Sequence, residues 1–147
     1  MTKMGVFAVL DVGKTNVDFW VAKPDGTVLE TRTTPNHVLG GAWRHHDLMT
    51  LGQWVVMTLA ELCRKHPIRL LVPVGHGSGG VLVGGDPDAG YMGTIFPMID
   101  YEDLCPPEVD AEYVQKSGSF EDRGSPVMMG MTHAARQLLR MERTDPS

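Results

Sequence analysis

The sequence predicts one α/β domain with a mixed sheet, in which a meander of three strands leads through a crossover helix into a parallel strand. Three observations support this prediction. Residues 6–33 contain three short apolar or alternating segments separated by turns. Residues 47–66 carry an apolar stripe with helical spacing, and residues 68–74 form a further apolar run. The length of 147 residues suits one ordinary domain that can bury a core.

The opening meander is predicted from alternation of apolar and polar side chains. The apolar run at residues 6–10 ends at Asp11, and after a polar turn residues 17–22 alternate again. The Lys-Pro-Asp-Gly segment at residues 23–26 forms a second turn, which leads to a third strand at residues 28–31. These segments therefore predict strand, tight turn, strand, turn and strand.

The crossover helix is predicted between Asp47 and Pro67. Asp47 suits the N-cap position, the basic residues 64–66 suit the C-terminal end of the helix dipole, and Pro67 ends the helix. The core-facing residues recur every three or four positions, so they form one stripe: Leu48, Leu51, Trp54, Val55, Thr58, Leu59 and Leu62.

A buried strand and a small hairpin are predicted after this helix. Residues 68–74 form the strand, and Pro73 places its end at a sheet edge or outside the sheet because proline has no N–H to donate. Residues 81–83 and 91–92 flank a glycine-rich turn, which predicts a small β-hairpin insertion.

The remaining sequence predicts C-terminal helices. Residues 107–116 and 132–143 are predicted as helices, and residues 117–126 as a loop between them. Strand signals thin out after about residue 92, so the sheet is expected to be incomplete. The order β-β-β-α-β nevertheless opens the ribonuclease-H-like fold that actin-like ATPases use.

The composition excludes several classes of function. The net charge is −5 and no basic cluster is present, which argues against a nucleic-acid groove as the main surface. No segment reaches the apolar length of a membrane span, and the N-terminus lacks the apolar stretch of a signal peptide. The two cysteines, Cys63 and Cys105, have no metal-ligand spacing, so we expect reduced thiols in a cytoplasmic protein.

The turn after the first strand is the first candidate site. Its Gly-Lys-Thr letters do not form a Walker A loop, because the position five residues before Gly13 is Ala8 and because residues 17–22 alternate like a strand rather than a helix. A turn that caps phosphates between two antiparallel strands is the alternative, with Asp11 holding hydrated Mg²⁺. An ordinary β-hairpin with a polar turn is the other interpretation of the same residues.

A glycine-rich segment at residues 75–80 is the second candidate. Its Gly-x-Gly-x-x-Gly spacing does not predict a dinucleotide site, because Gly84, Gly85 and Pro87 prevent the helix that such a site requires. A lipase oxyanion loop is also excluded, since no Gly-x-Ser-x-Gly nucleophile elbow occurs in the chain. A strand end with bare backbone and His76 remains, which suits a polar ligand or, equally, a tight turn with an exposed histidine.

Two further polar clusters occur at residues 100–102 and 45–47. In a strand, Asp100 and Glu102 would share one face and accept hydrogen bonds from hydroxyls, although a solvated loop is the interpretation that local sequence favours. The segment His45-His46-Asp47 is interpreted as helix capping with solvent-facing histidines rather than as a metal site.

Together these pieces resemble the N-terminal domain of the FGGY family of carbohydrate kinases, and in particular its rhamnulokinase and fuculokinase-like branch. The first motif, at residues 9–16, is shared with heat-shock ATPases and actin. The motifs that point to carbohydrate are Val-Gly-His-Gly at residues 74–77, Phe-Pro-Met-Ile-Asp-Tyr-Glu at residues 96–102 and Phe-Glu with Ser-Pro at residues 120–126. The resemblance runs from about residue 6 to residue 141, and it departs from the family where Asp-Arg-Gly replaces the usual threonine before Ser-Pro.

The resemblance implies phosphorylation of a sugar hydroxyl by ATP, through in-line attack on the γ-phosphorus. It implies that Asp11 holds Mg²⁺ through water and that the first phosphate loop consists of Gly13, Lys14, Thr15 and Asn16. It also implies a sugar site that includes Gly75, His76, Gly77 and Asp100.

Family members are several times longer, so residues 1–147 are expected to form part of an N-terminal domain, with the second domain absent. The catalytic base and adenosine pocket would lie beyond residue 147, and the chain alone is expected to be inactive, as a truncated product, part of a split enzyme or a fragment. One alternative is a non-catalytic remnant or subunit that binds sugar, phosphate, a partner chain or a second copy. The other alternative is a ribonuclease-H-like nuclease. Such an enzyme needs further carboxylates near the fourth strand and on a late helix to hold two metal ions. Residues 74–76 contain no acidic side chain, and the last helix contains only Glu142.

Overall fold

The protein is described here by a computed structural model that covers residues 5–88 and 92–144. It divides into two compact units. The first unit comprises Met1–His37 and Asp47–Gly77, and the second comprises Val38–His46 and Ser78–Ser147. The elements follow in chain order: β1 (Val6–Val12), β2 (Asn16–Ala22), β3 (Val28–Pro35), β4 (Val38–Leu39), β5 (His45–His46), α1 (Leu48–Lys65), β6 (Ile68–Gly75), α2 (Pro107–Lys116), α3 (Phe120–Arg123) and α4 (Ala134–Thr144).

The first unit contains the predicted meander and crossover. Its sheet has the order β3-β2-β1-β6, with β1 antiparallel to β2 and parallel to β6. The strand Ile68–Gly75 confirms the predicted fourth strand, and it lies at the sheet edge, where Pro73 is tolerated.

Alternation along β1 and β2 builds the core of the first unit. The side chains on one face of these strands are buried against α1, whereas those on the other face are more exposed. Phe19 is fully buried, and its ring centroid lies 5.6 Å from that of Trp54 on α1. The buried residues of this core are Val6, Ala8, Leu10, Val17, Phe19, Val21 and Leu62.

Helix α1 begins and ends as its sequence predicts. The Asp47 carboxylate accepts a hydrogen bond from the Thr50 N–H at 3.0 Å, which is the expected N-cap. At the C-terminal end of the helix, the C-cap residue His66 has its Nε2 atom 2.7 Å from a carboxylate oxygen of Glu30 on β3, and Lys65 donates to the other oxygen at 3.1 Å. These two partners lower the pKa of Glu30 below its ordinary value.

The second unit contains the pair β4–β5 and the helices α2, α3 and α4. A core cluster is formed by Trp43, Ile99, Met131 and Met141. The prediction that both histidines of β5 face solvent is wrong, because His46 is buried. Its N–H donates to the Met98 carbonyl at 3.0 Å, so backbone pairing holds this residue inside the unit.

Two other parts of the second unit refine the predictions. The predicted loop at residues 117–126 contains the short helix α3, because Ser119 and Asp122 form a capping box. Within the described residues, the small hairpin is represented by an antiparallel bridge between Val83 and Thr94. Residues 89–90 of its predicted turn and residue 91 of its predicted second strand lie outside the described residues. Helix α2 has the predicted bounds.

Among the helices in residues 5–88 and 92–144, none is both long and apolar enough to span a bilayer.

Candidate functional site

The turn between β1 and β2 is a hairpin connection and not the start of a helix. Strand β1 ends at Val12, strand β2 begins at Asn16, and Val12 pairs with Val17 across the turn. Lys14 therefore lies at the tip of a β-hairpin. The structure agrees with the exclusion of a Walker A loop, which needs a helix directly after the lysine.

Asn36, which directly follows β3, holds this turn through two hydrogen bonds. Its side-chain amide donates to the Gly13 carbonyl at 2.8 Å, and its backbone N–H donates to the Thr15 carbonyl at 2.8 Å. Asn36 itself is buried. Because two turn carbonyls are tied to β3, the turn N–H groups are held in one arrangement.

Close backbone approach explains why glycine occupies position 13. A Cβ added at Gly13 would lie 2.8 Å from the Asn16 carbonyl oxygen, which is backbone and cannot move aside cheaply. A side chain at this position would therefore open the turn, so the glycine keeps it tight.

Two carboxylates face each other beside the turn. Asp11 of β1 is the register partner of Asp18 of β2, so both side chains lie on the sheet face opposite the α1 core. The Thr33 hydroxyl on β3 donates to Asp18. Like charges directly opposite each other are unfavourable unless a cation offsets them, and carboxylate oxygens are ligands that Mg²⁺ prefers.

The end of β6 lies next to the end of β1. Gly75 is the register partner of Val12, and the His76 N–H donates to the Val12 carbonyl at 3.3 Å. The His76 Nδ1 atom lies 2.8 Å from the Gly77 carbonyl oxygen. Cβ atoms added at Gly75 and Gly77 would meet no other atom within 4 Å, so open space surrounds this backbone. The structure thus brings Asp11, the turn and the glycine-rich exit to the same end of the sheet.

Asp100 belongs to the second unit and is fully buried, so the interpretation of this position as a solvated loop is wrong. One carboxylate oxygen lies 2.8 Å from Arg44 Nη2, and the other accepts the Glu102 N–H at 3.1 Å. The Asp100 N–H also donates to the Arg44 carbonyl at 2.9 Å. The Arg44 side chain is about half exposed, and its ion pair with the buried Asp100 holds the guanidinium in place at the surface of the unit.

No group of three or more His, Cys, Asp or Glu side chains converges in the described ranges, 5–88 and 92–144, to form a metal cage. Mg²⁺ in phosphoryl-transfer sites does not need such a cage, since it is bound through one or two carboxylates, substrate phosphates and water. The pair of Asp11 and Asp18 supplies ligands of this type.

Three residues that shape these sites, Asp18, Asn36 and Arg44, are not among those predicted from the sequence. Asn36 acts over a separation of 23 residues and Arg44 acts on a residue far along the chain, so no local pattern marks either of them. Asp18 was detectable in principle, because the predicted hairpin register places it opposite Asp11.

Searches with protein-family models gave no match to this chain. Curated proteins gave no match either. Solved structures did match, and several of them are carbohydrate kinases.

A carbohydrate kinase from Novosphingobium aromaticivorans matches 97% of this chain with a TM-score of 0.84 and 30% identity. A xylulose kinase from Lactobacillus acidophilus matches 96% with a TM-score of 0.76 and 12% identity. The Plasmodium falciparum glycerol kinase, solved with ADP, matches 97% with a TM-score of 0.70 and 13% identity. This chain spans only 29% of each of the three. The matches confirm the predicted fold, an α/β mixed sheet of the ribonuclease-H-like, actin-like ATPase type.

Proposed function

We propose that this chain provides the first phosphate loop and part of the sugar site of an ATP-dependent carbohydrate kinase. The observation that carries the proposal is the β1–β2 turn, which Asn36 clasps and which lies beside the end of β6. Within carbohydrate kinases, we assign the chain to the rhamnulokinase and fuculokinase-like branch of the FGGY family. We assign its localisation to the cytoplasm. The partners would be a sugar and either a second kinase domain or another copy of the chain, without nucleic acid or membrane.

The phosphate end of this site would be built by the hairpin. Backbone N–H groups of residues 13–16 and the Lys14 side chain would face the polyphosphate, where several N–H donors together favour an anion. Asp11 would hold Mg²⁺ through water, with Asp18 as the neighbouring carboxylate. Bound there, Mg²⁺ would offset the charge on the phosphates during transfer.

The resemblance to FGGY kinases assigns sugar binding to the glycine-rich segment after β6 in the first unit and, separately, to Asp100 in the second unit. Gly75, His76 and Gly77 would offer backbone groups and one imidazole to sugar hydroxyls, and the absence of side chains would let the sugar approach closely. Asp100 would act within the second unit, where its burial and its bond to Arg44 support a role in positioning that guanidinium. These residues would orient the attacking hydroxyl in line with the γ-phosphorus.

The phosphate role of Asp11 can be tested by polyphosphate binding. We expect Asp11→Asn to weaken Mg²⁺-dependent binding of inorganic tripolyphosphate at least tenfold, because the variant loses the carboxylate that would hold the hydrated ion. Titration calorimetry with tripolyphosphate, with and without Mg²⁺, measures this effect without requiring an adenosine pocket. Glu61→Gln, which removes an exposed carboxylate from α1, is the control and should bind like the parent chain. Equal binding by the Asp11→Asn variant would refute the assignment.

The chain alone is expected to show no kinase turnover. In the carbohydrate kinases that it matches, this segment is 29% of the chain, and the FGGY resemblance implies that the catalytic base and adenosine pocket lie in the rest. A coupled ATPase assay with a panel of ketoses and deoxy sugars tests this. Robust sugar-dependent turnover by the isolated chain would contradict the expectation.

A further inference from the structure

An open cleft in the second unit is lined by the start of α2, by the loop at residues 127–130 and by one residue of α4. Its volume is about 710 Å³, which falls within the range of small-molecule sites, roughly 300–1,000 Å³. Most of the lining residues are apolar, and two are methionines, whose side chains adapt to irregular ligands. The lining consists of Leu104, Cys105, Pro107, Asp110, Val127, Met128, Met129, Gly130 and Arg136.

One cationic side chain is buried in the wall of this cleft. The Arg136 side chain on α4 is only 3% exposed. Its Nη1 atom donates to the Met128 and Gly130 carbonyls, and its Nη2 atom donates to Asp110. The Nε atom is buried and has no hydrogen-bond partner within the described residues. Because a buried N–H without an acceptor is unfavourable, the Nε–Nη2 edge of this guanidinium is short of one acceptor.

Asp110 is an incomplete counter-ion for Arg136. It accepts from the guanidinium through one carboxylate oxygen, Oδ1, and its side chain is 46% exposed. Arginine and carboxylate groups frequently pair through two parallel hydrogen bonds, which adds energy and geometric specificity. A ligand carboxylate in the place of Asp110 would bond to Nε and Nη2 together, while the half-exposed Asp110 would return to water.

The lining also restricts the class of ligand. Among the described residues of the lining, Arg136 carries the only positive charge, so it matches one negative charge better than the two of a phosphate. Burial raises the pKa of the Cys105 thiol, which keeps this group neutral. Leu104 and Val127 are exposed aliphatic residues, and a hydrocarbon body would cover them.

We propose that this cleft binds a monocarboxylate with an aliphatic body, whose carboxylate displaces Asp110 from Arg136. The proposal is independent of the proposed function, because none of the described residues assigned to phosphate or sugar belongs to the lining. It assigns the chain a second ligand of a different chemical class.

The test uses octanoate as the probe and the full 147-residue chain as the receptor. An NMR titration of the ¹⁵N-labelled chain should show saturable shifts at residues 104–110 and 127–136. Octan-1-ol has the same chain without the charge, and acetate has the charge without the chain. Each should bind at least about tenfold more weakly than octanoate, because each lacks one of the two contacts.

Three variants, each checked for folding by circular dichroism, probe the mechanism while Arg136 stays in place. Asp110→Asn removes the competing carboxylate and should strengthen octanoate binding about threefold or more. Met129→Asp adds a negative charge at a lining position that is 84% exposed, and it should weaken binding at least about tenfold. Met92→Asp is the matched control, since Met92 is 74% exposed in the same unit and is not in the lining, and it should leave the affinity within about twofold.

The strengthening by Asp110→Asn is decisive, because non-specific adsorption of a fatty chain would not produce it. The proposal is overturned if octanoate does not bind, if octan-1-ol binds as tightly, or if Asp110→Asn leaves the affinity unchanged or lowers it. Equal weakening by Met129→Asp and Met92→Asp would also overturn it.

Discussion

Replacement of Phe19 by alanine is expected to destabilise the first unit by about 3–5 kcal/mol, which is the cost of removing a large aromatic side chain from a packed core. Phe19 is fully buried in the middle of β2, and its ring packs against Trp54 on α1. The substitution would leave a cavity between the sheet and the helix that the neighbouring strands cannot close. The loss approaches the whole stability of many natural domains.

Hydrogen exchange followed by mass spectrometry measures this effect, because it reports the free energy of opening separately for peptides of β1, β2 and α1. Phe120→Ala is the matched control, since this ring is more than half exposed in the second unit, and it should change stability by about 0.5 kcal/mol or less. If Phe19→Ala lowers the free energy of opening by less than about 1 kcal/mol, β2 and α1 do not share one core.

Replacement of Arg136 by methionine is expected to destabilise the second unit by about 3 kcal/mol. Arg136 is buried on α4, where its guanidinium donates to the Met128 and Gly130 carbonyls and pairs with Asp110 of α2. The guanidinium carbon also lies 4.7 Å from the centroid of the Tyr113 ring. The variant keeps the apolar volume and leaves two carbonyls without their donor, and the half-exposed Asp110 limits the loss by returning to water.

The control for this prediction is Arg143→Met on the same helix. Arg143 pairs with Glu112 at 2.6 Å in an exposed position, so its loss should cost under about 1 kcal/mol. Urea unfolding, with hydrogen exchange to localise the change to α2 and α4, measures both variants. Equal effects of the two substitutions would contradict the idea that burial makes Arg136 the structural arginine of α4.

The sequence predicts the parts of this fold that depend on local periodicity. The meander, α1 and the strand Ile68–Gly75 follow from alternation, helical spacing and Pro67, because each signal lies within its own element. The N-cap at Asp47 is likewise local, since its carboxylate bonds three residues along the chain. The hairpin geometry of the candidate phosphate turn follows from the same alternation.

The environments of individual side chains are not predicted by local pattern. Asp100 has the sequence context of a solvated loop, yet it is fully buried because Arg44, far away in sequence, supplies its ion pair. His46 is buried because β5 pairs with β4 and its backbone bonds to Met98. Both outcomes depend on contacts that only the folded chain creates, so a single sequence carries no local sign of them.

The hydrogen bonds from Asn36 to the β1–β2 turn have a consequence for biosynthesis. A ribosome that has released only β1 and β2 holds a hairpin whose tip is still unfixed, because the residue that ties it is made 23 positions after Gly13. The nascent tip acquires its final shape once β3 has emerged and closed against β2. Synthesis therefore sets an order in which the third strand, and not the hairpin itself, completes the geometry of the candidate phosphate turn.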